Sequence, residues 1–333
     1  MVAHESRIGE DVALLPTTQS PYKLTDSVHA TESGPRPHAL LGIACVATSA
    51  VCFSLMSTMV KYATFSMTSM EAIFWRSAVA IVPNYGFIWY KSISMRVRPE
   101  QRAMLLYRCI AGFSSISFAF YAFSQMVLAD ASVVVFTSPV ITFLLGACLL
   151  GERVDPVSFV CALLSFGGLV CVVRPGFIFG YDHATAEMDG SWIAIASAIL
   201  GAIGQAFVFI TVRKLQGINV HVIVHYFMLF SVVGSAVYMA FVQRRFVMPA
   251  TFQLWAAVIS GGIFTFLGQL FLTKGFQLEK AGIASVMRYL DVVCVFLWDD
   301  VLLGEVINSW SVVGAGIIIV CASIIALRKA KVL

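Results

Sequence analysis

Hydrophobic positions in this chain come in long runs that charge rarely interrupts. Segments 109–129, 131–151, 156–173, 190–212, 215–243, 246–273 and 306–327 contain no Asp, Glu, Lys or Arg, and residues 39–60 form another such run closed by Lys61. Each reaches or nearly reaches the roughly 20 residues that cross a hydrocarbon layer as a helix. Two further apolar stretches carry internal charge: 69–90 with Glu71 and Arg76, and 281–303 with Arg288, Asp291, Asp299 and Asp300. The pattern predicts ten transmembrane helices, called spans 1 to 10 in chain order. Residues 1–38 differ in kind, with Pro16, Pro21, Pro35 and Pro37 among many Ser and Thr; they read as a disordered tail. No apolar core precedes a cleavage site there, so span 1 is expected to serve as the targeting signal.

Composition agrees with this reading. Of 333 residues 59% are hydrophobic and only 12% charged, against about 25% charged in a soluble domain. The net charge of +4 is not gathered into one stripe, which argues against nucleic acid as a partner. It is a topology signal instead. Fifteen Lys and Arg flank the spans on the side of the two termini: Arg7, Lys23, Arg36, Lys91, Arg96, Arg98, Arg102, Arg153, Arg213, Lys214, Lys274, Lys280, Arg328, Lys329 and Lys331. The other side has Lys61, Arg174, Arg244 and Arg245. Both termini are therefore expected in the cytoplasm, with Arg244 and Arg245 as the discordant pair. All eight cysteines fall inside spans and no CxxC occurs, so they read as small core residues rather than a redox or zinc site.

The chain also repeats itself. A shift of 153 lays Ala131–Ser132–Val133 on Ala284–Ser285–Val286, Val140, Phe143 and Leu144 on Val293, Phe296 and Leu297, and Leu149–Leu150–Gly151–Glu152 on Leu302–Leu303–Gly304–Glu305, ten identities in 22 ungapped positions. The shift also pairs Asp155 with Asn308, two good helix N-caps. The match thus passes through a turn, which shared apolar composition does not explain. With five spans per unit the second copy enters the membrane from the opposite face, an inverted repeat of the kind that gives secondary transporters two access states. The resulting organisation is a tail at 1–38, a first repeat at 39–174, an outer linker at 175–190, a second repeat at 191–327 and a cytoplasmic end at 328–333.

The stretches RCIAG (Arg108 to Gly112), ASVVVFTSP (Ala131 to Pro139) and LLGE ending at Glu152, with LLGE returning at Glu305, resemble the EamA repeat of the drug/metabolite transporter superfamily. YLDVVCVFLWDDVLLGE from Tyr289 is most similar to the G group of solute-carrier group 35. The resemblance covers about 39–327. It implies a ten-helix transporter with cytoplasmic termini and a cavity lined by spans 1, 3, 4, 6, 8 and 9, with spans 5 and 10 peripheral. The superfamily moves amino acids, nucleotide sugars, carboxylates, phosphorylated sugars and amphipathic cations. The second copy has Val292 where the first has Pro139, so span 9 is expected to lack the kink of span 4.

Span 9 carries the candidate chemistry. Arg288 and Asp291 lie near mid-depth, and at 100° per residue they share a face with Asp299. An intramembrane charge costs roughly 2.5–3.5 kcal/mol on the insertion scale, so such a stripe belongs against a wet cavity or a partner. Two readings stay open: Arg288 and Asp291 simply neutralise each other, or they form a cavity wall in which Arg288 meets an anionic group and Asp291 a proton or cation. Gln205, Gln269, Ser138, Ser57, Thr58 and Tyr289 complete the substrate-binding candidates, Ser138 being the 153-offset counterpart of Asp291. Asp299 and Asp291 are the candidate charge or coupling partners. Arg108 reads as a snorkelling residue, Arg76 as belonging to a less central helix, and Lys61 with Glu71 as an ion pair across an outer loop. No HExxH, GxSxG or ATP-binding motif occurs, so no enzyme, metal or cofactor is expected.

The function predicted is secondary transport of a small organic anion or zwitterion. An organic-cation exporter and a non-transporting scaffold or receptor are the alternatives. Protons or a counter-substrate as coupling partners, monomer or homodimer, and plasma membrane or endomembrane all remain open at this stage.

Overall fold

The computed structural model describes residues 39–64, 67–126, 128–179, 192–244, 246–303 and 309–331. The expected tail (1–38), most of the expected linker and the side chains of Lys61, Asp299 and Glu305 lie outside the described ones. The chain runs as α1 (Ala39–Thr64), α2 (Ser69–Tyr90), α3 (Pro99–Gln125), α4 (Leu128–Val135), α5 (Ser138–Leu150), α6 (Pro156–Val173), a short α7 (Gly176–Phe179), α8 (Trp192–Lys214), α9 (Val220–Tyr238), α10 (Phe252–Leu278), α11 (Ala281–Met287), α12 (Leu290–Leu303) and α13 (Ser309–Lys331). A π-helical turn, Met239–Gln243, continues α9. No strand occurs among the described residues.

Local chemistry sets several boundaries. Thr68 and Glu71 form a reciprocal capping box at the start of α2, Asp155 caps α6 with Pro156 at its first position, and Asn219 and Thr251 cap α9 and α10. These side chains satisfy amides that an isolated helix start leaves without partners. Gly151, at φ 62°, ends α5 in the left-handed region, which a glycine enters without a Cβ penalty.

Nine stretches of the described residues are long and apolar enough to cross a membrane, with α4–α5 and α11–α12 each forming one of them. The ten spans predicted from the sequence are therefore nine by this measure. α2 is not among them, because it carries Glu71, Arg76, Asn84 and Pro83 within its 22 residues. Large apolar side chains such as Val82, Phe241, Phe252 and Val301 face outwards, and Trp89 and Trp192 sit at helix ends, as in proteins solvated by lipid with aromatic belts at the interfaces. The chain is a multi-pass membrane protein.

The hairpins define two faces. The tail face holds the start of α1, the turns after α2, α5, α8 and α10, and the end of α13; the far face holds the remaining turns. α1 packs on α10, α3 on α8, α2 on α9, α6 on α13, and α5 on both α8 and α11. Two contacts depend on glycine: a Cβ on Gly275 would stand 3.0 Å from the Gly42 carbonyl oxygen, and one on Gly168 would stand 2.8 Å from that of Gly314. Small residues here let helix backbones approach closely, the usual means of association in lipid.

Both interrupted helices break at equivalent places. Between α4 and α5 the break falls at Phe136–Thr137, just before Pro139, which has no amide to donate. Between α11 and α12 it falls at Arg288–Tyr289. The expectation that span 9 runs unkinked for want of a proline is therefore corrected. There the amides of Arg288, Tyr289, Asp291 and Val292 donate three residues back rather than four, to Ser285, Val286, Arg288 and Tyr289. The Tyr289 hydroxyl donates across to the carbonyl of Phe136 at 3.1 Å, and Ser285 Oγ to that of Pro139 at 3.2 Å. Side chains of the second repeat's broken helix thus satisfy backbone carbonyls at the break in the first.

Candidate functional site

A cavity of about 670 Å³ lies between the helices, within the range of small-molecule sites. It runs from Phe209, Leu272 and Ser138 in the middle of the bundle to Ser69, Ser124 and Val173 at far-face helix ends. Arg288, Asp291, Gln205, Gln269, Ser138, Ser57 and Thr58 all line it. Tyr289 does not: it is fully buried, its hydroxyl spent on Phe136. The resemblance implied walls from spans 1, 3, 4, 6, 8 and 9; α2 contributes Ser69, Arg76 and Ser77 as well, and α9 contributes Phe227, Met228 and Ser231. Arg76, read from sequence as less central, is therefore a cavity residue.

The i−3 turn at the α11–α12 break explains the ion pair at its heart. Side chains three residues apart eclipse one another in such a turn, and Arg288 Nη2 meets Asp291 Oδ2 at 2.7 Å with both side chains almost buried. Arg288 also lies over the ring of Phe53, 4.8 Å from its centre, a cation–π contact that partly replaces lost hydration. Arg288 Nη1 and Asp291 Oδ1 have no hydrogen-bond partner among the described residues. Both atoms are buried and bear the cost of an unmade bond, so a ligand reaches them only when these side chains shift.

Two further guanidiniums stand close by. Among the described residues Arg76 donates from Nη1 only to the thioether of Met56 at 3.5 Å, a weak acceptor, and its Nε has no partner there. Arg108 is not a snorkelling residue. At 1% exposure it lies on the face of Phe227, 4.2 Å from the ring centre, and donates from Nη2 to Gln269 Oε1 at 3.3 Å. Gln269 is thus held by a charge behind the wall. Gln205 accepts from Ser115 Oγ at 3.4 Å, which holds it in a similar way. Phe53, Phe120, Phe123, Phe136, Phe209 and Phe227 supply the apolar surface. Among the described residues Arg76 and Arg288 line this cavity and Arg108 stands behind it, and Asp291 is the carboxylate in the lining.

Towards the tail face the cavity is closed. Phe209 stacks on Phe276 with ring centres 4.3 Å apart. Beneath them Glu152 takes Arg213 Nε at 3.0 Å and accepts from the amide of Ala281 at 2.9 Å, while Arg213 Nη1 donates to the carbonyl of Gln277. Lys329–Glu279 and Arg328–Asp155 pairs, at 3.0 and 2.7 Å, bridge the outermost turns. At the far face Glu71 accepts from the amides of Thr68 and Val247, both at 2.8 Å. It is a loop organiser there, and its expected partner Lys61 is outside the described side chains. His221, on α9, is held by Asn84 at 2.9 Å and stacked on Phe87.

The sequence matches the EamA-like transporter family over residues 40–174 and 192–327, and the chain belongs to that family. It is 28% identical over 291 residues to the pseudopaline exporter CntI of Pseudomonas aeruginosa, covering 87% of this chain and 97% of that one. It is 27% identical over 296 residues to human solute carrier family 35 member G1, covering 87% and 80% of the two chains. A solved structure, titled only as the crystal structure of a protein, superposes with a TM-score of 0.77 at 17% identity, over 87% of this chain and 98% of that one. That likeness shows the fold. The family and its named relatives are transporters, and membrane transport is the coarse function of this chain.

Proposed function

We propose that this protein is a secondary transporter of a small organic anion or zwitterion, working by alternating access between two inverted five-span repeats with both termini in the cytoplasm. α2 acts as the tenth span, its charges turned to the cavity and the loop rather than to lipid. Support for the inverted repeat comes from the packing. Exchanging the repeats turns the α1–α10 pair into the α8–α3 pair, and sends α2–α9, α6–α13 and the broken helices α4–α5 and α11–α12 onto themselves. The Tyr289–Phe136 hydrogen bond joins positions 153 apart in sequence, as residues on a two-fold axis would be joined.

The observation that carries the reading is the Arg288–Asp291 pair on an interrupted helix in the cavity wall, with one arm of each group unused. A guanidinium grips a carboxylate or phosphate in two-point fashion. In the empty state Asp291 holds Arg288; an arriving anion competes for it, and Asp291 is released or protonated. Occupancy of the far-face-open cavity then favours closure above the substrate and opening of the Glu152–Arg213 and Phe209–Phe276 layers below it. Relatives named as an exporter and as a solute carrier support a small-solute cargo.

Uptake in proteoliposomes tests this across organic anions, amino acids and nucleotide sugars, with and without a pH gradient. Arg288→Gln is expected to lower transport by roughly 30-fold or more, equivalent to about 2 kcal/mol of lost charged hydrogen bonding. Asp291→Asn is expected to retain binding with altered pH dependence. Full transport by Arg288→Gln, with Asp291→Asn inactive, would replace the anion reading with a cation held by Asp291.

A further inference from the structure

Arg76 is the cavity charge that the reading above leaves without a task. It has no carboxylate partner among the described residues, its Nε has no hydrogen-bond partner, and its one donated bond goes to a thioether. A guanidinium kept in this state costs more than one paired to an acid, so a purely structural role would be better served by a neutral side chain. Asn84, on the same helix, is by contrast fully engaged with His221.

Position gives the residue its meaning. Arg76 contacts Met56 and Arg288 lies on Phe53, and these two supports sit three residues apart on α1. Both arginines line the same cavity, and the residue that supports Arg76 sits about 4.5 Å further along α1 towards the far face than the one that supports Arg288. Arg76 stands towards the mouth, seven residues from the start of α2 at the far face, and Arg288 stands deeper, at the helix break. Asp291 neutralises the deeper one alone.

From this, and resting on the anion reading of Arg288, we propose that Arg76 forms a second anion subsite and that the transported class carries two acidic groups a few bonds apart, such as a short dicarboxylate or a phosphorylated carboxylic acid. The deeper group engages Arg288 and the shallower one engages Arg76, while the phenylalanine walls take the carbon skeleton. A two-point reading of this kind discriminates against monoanions, because a substrate lacking the second group leaves Arg76 desolvated and unpaired when the mouth closes.

The test is uptake of radiolabelled succinate, glutarate and phosphoenolpyruvate, and of monomethyl succinate and monomethyl glutarate, by the purified full chain in proteoliposomes. Each ester keeps the skeleton of its diacid and removes one charge. Wild type is expected to move at least one diacid tenfold faster than its ester or, for the phosphorylated acid, tenfold faster than either ester. Arg76→Gln should lower that preference to about twofold or less, with diacid uptake lost and ester uptake kept or raised because no charge is left unpaired, while a monodisperse profile in detergent shows the variant folded. Arg76→Lys should restore part of the preference. If wild type shows no preference for any diacid, or if Arg76→Gln lowers diacid and ester alike, the second subsite is overturned. Arg288→Gln separates the two levels: loss of diacid and ester together keeps the anion reading whatever Arg76 does, whereas full transport by that variant removes the foundation itself.

Discussion

At the scale of single residues, the cavity charges differ in how completely the protein satisfies them, and that difference predicts their mutational behaviour. Arg108 is enclosed between Phe227 and Gln269, and among the described residues its Nε and Nη1 find no acceptor. Replacing a buried charge by an apolar group of similar volume is often neutral or stabilising, whereas removing only its partner strands it. Arg108→Met is therefore expected to leave the thermal midpoint in detergent within about 2 °C of wild type or raise it. Gln269→Leu is expected to lower it by several degrees, a loss on the order of 1–3 kcal/mol. Reversal of that order would mean that Arg108 owes its place to function rather than to this packing. Sequence alone singled out Arg288, Asp291, Gln205 and Gln269, because charge and amide groups inside apolar runs are conspicuous. It set Arg76 aside and included Tyr289, since the face of α2 that meets the cavity depends on its packing against α9 and α10, and the fate of the Tyr289 hydroxyl depends on a carbonyl 153 residues away.

At the scale of elements, helix ends and helix breaks do separate jobs. The α6 start is local: Asp155 accepts from the Ser158 amide and hydroxyl and meets Arg328 at 2.7 Å. Burial on its own would raise the Asp155 carboxyl, but the Ser158 bonds and the Arg328 charge outweigh it and hold the group below the usual carboxylate range. A carboxyl lowered in the folded state stabilises above its ordinary value and loses that contribution as pH falls through the depressed one. Asp155→Ala is thus expected to cost about 1 kcal/mol at neutral pH, with the gap from wild type constant down to about pH 5 and closing below about pH 4. Thermal unfolding across that pH range measures it, and a gap that widens on acidification would contradict the assignment. Caps of this sort were legible, as was the 153-residue repeat that runs through them. The break at Arg288–Tyr289 was not, because no proline marks it; it arises where i−3 hydrogen bonds, the Arg288–Asp291 pair and the Tyr289–Phe136 bond act together.

At the scale of the whole molecule, the close approaches of Gly275 to Gly42 and of Gly168 to Gly314 bind helices of opposite repeats, so moving one repeat against the other means sliding or rocking about such contacts. Gly275→Leu is expected to abolish folded, monodisperse protein in detergent, as its side chain would enter the space of Val46 and the α1 backbone. The central claim concerns access: one mid-depth site, which among the described residues reaches far-face helix ends and is closed towards the tail face by Phe209–Phe276 and Glu152–Arg213, is proposed to open to the tail face during transport. Thr265 lines the cavity at the middle of α10, and a cysteine there, in a transport-active protein whose eight native cysteines have been replaced, reports that access by reaction with a membrane-impermeant thiol reagent applied from either side. The account predicts reaction from the far side in the empty state and, once a transported anion is supplied, reaction from the tail side as well. Reaction from the far side alone under every condition, in a protein that still transports, would contradict it.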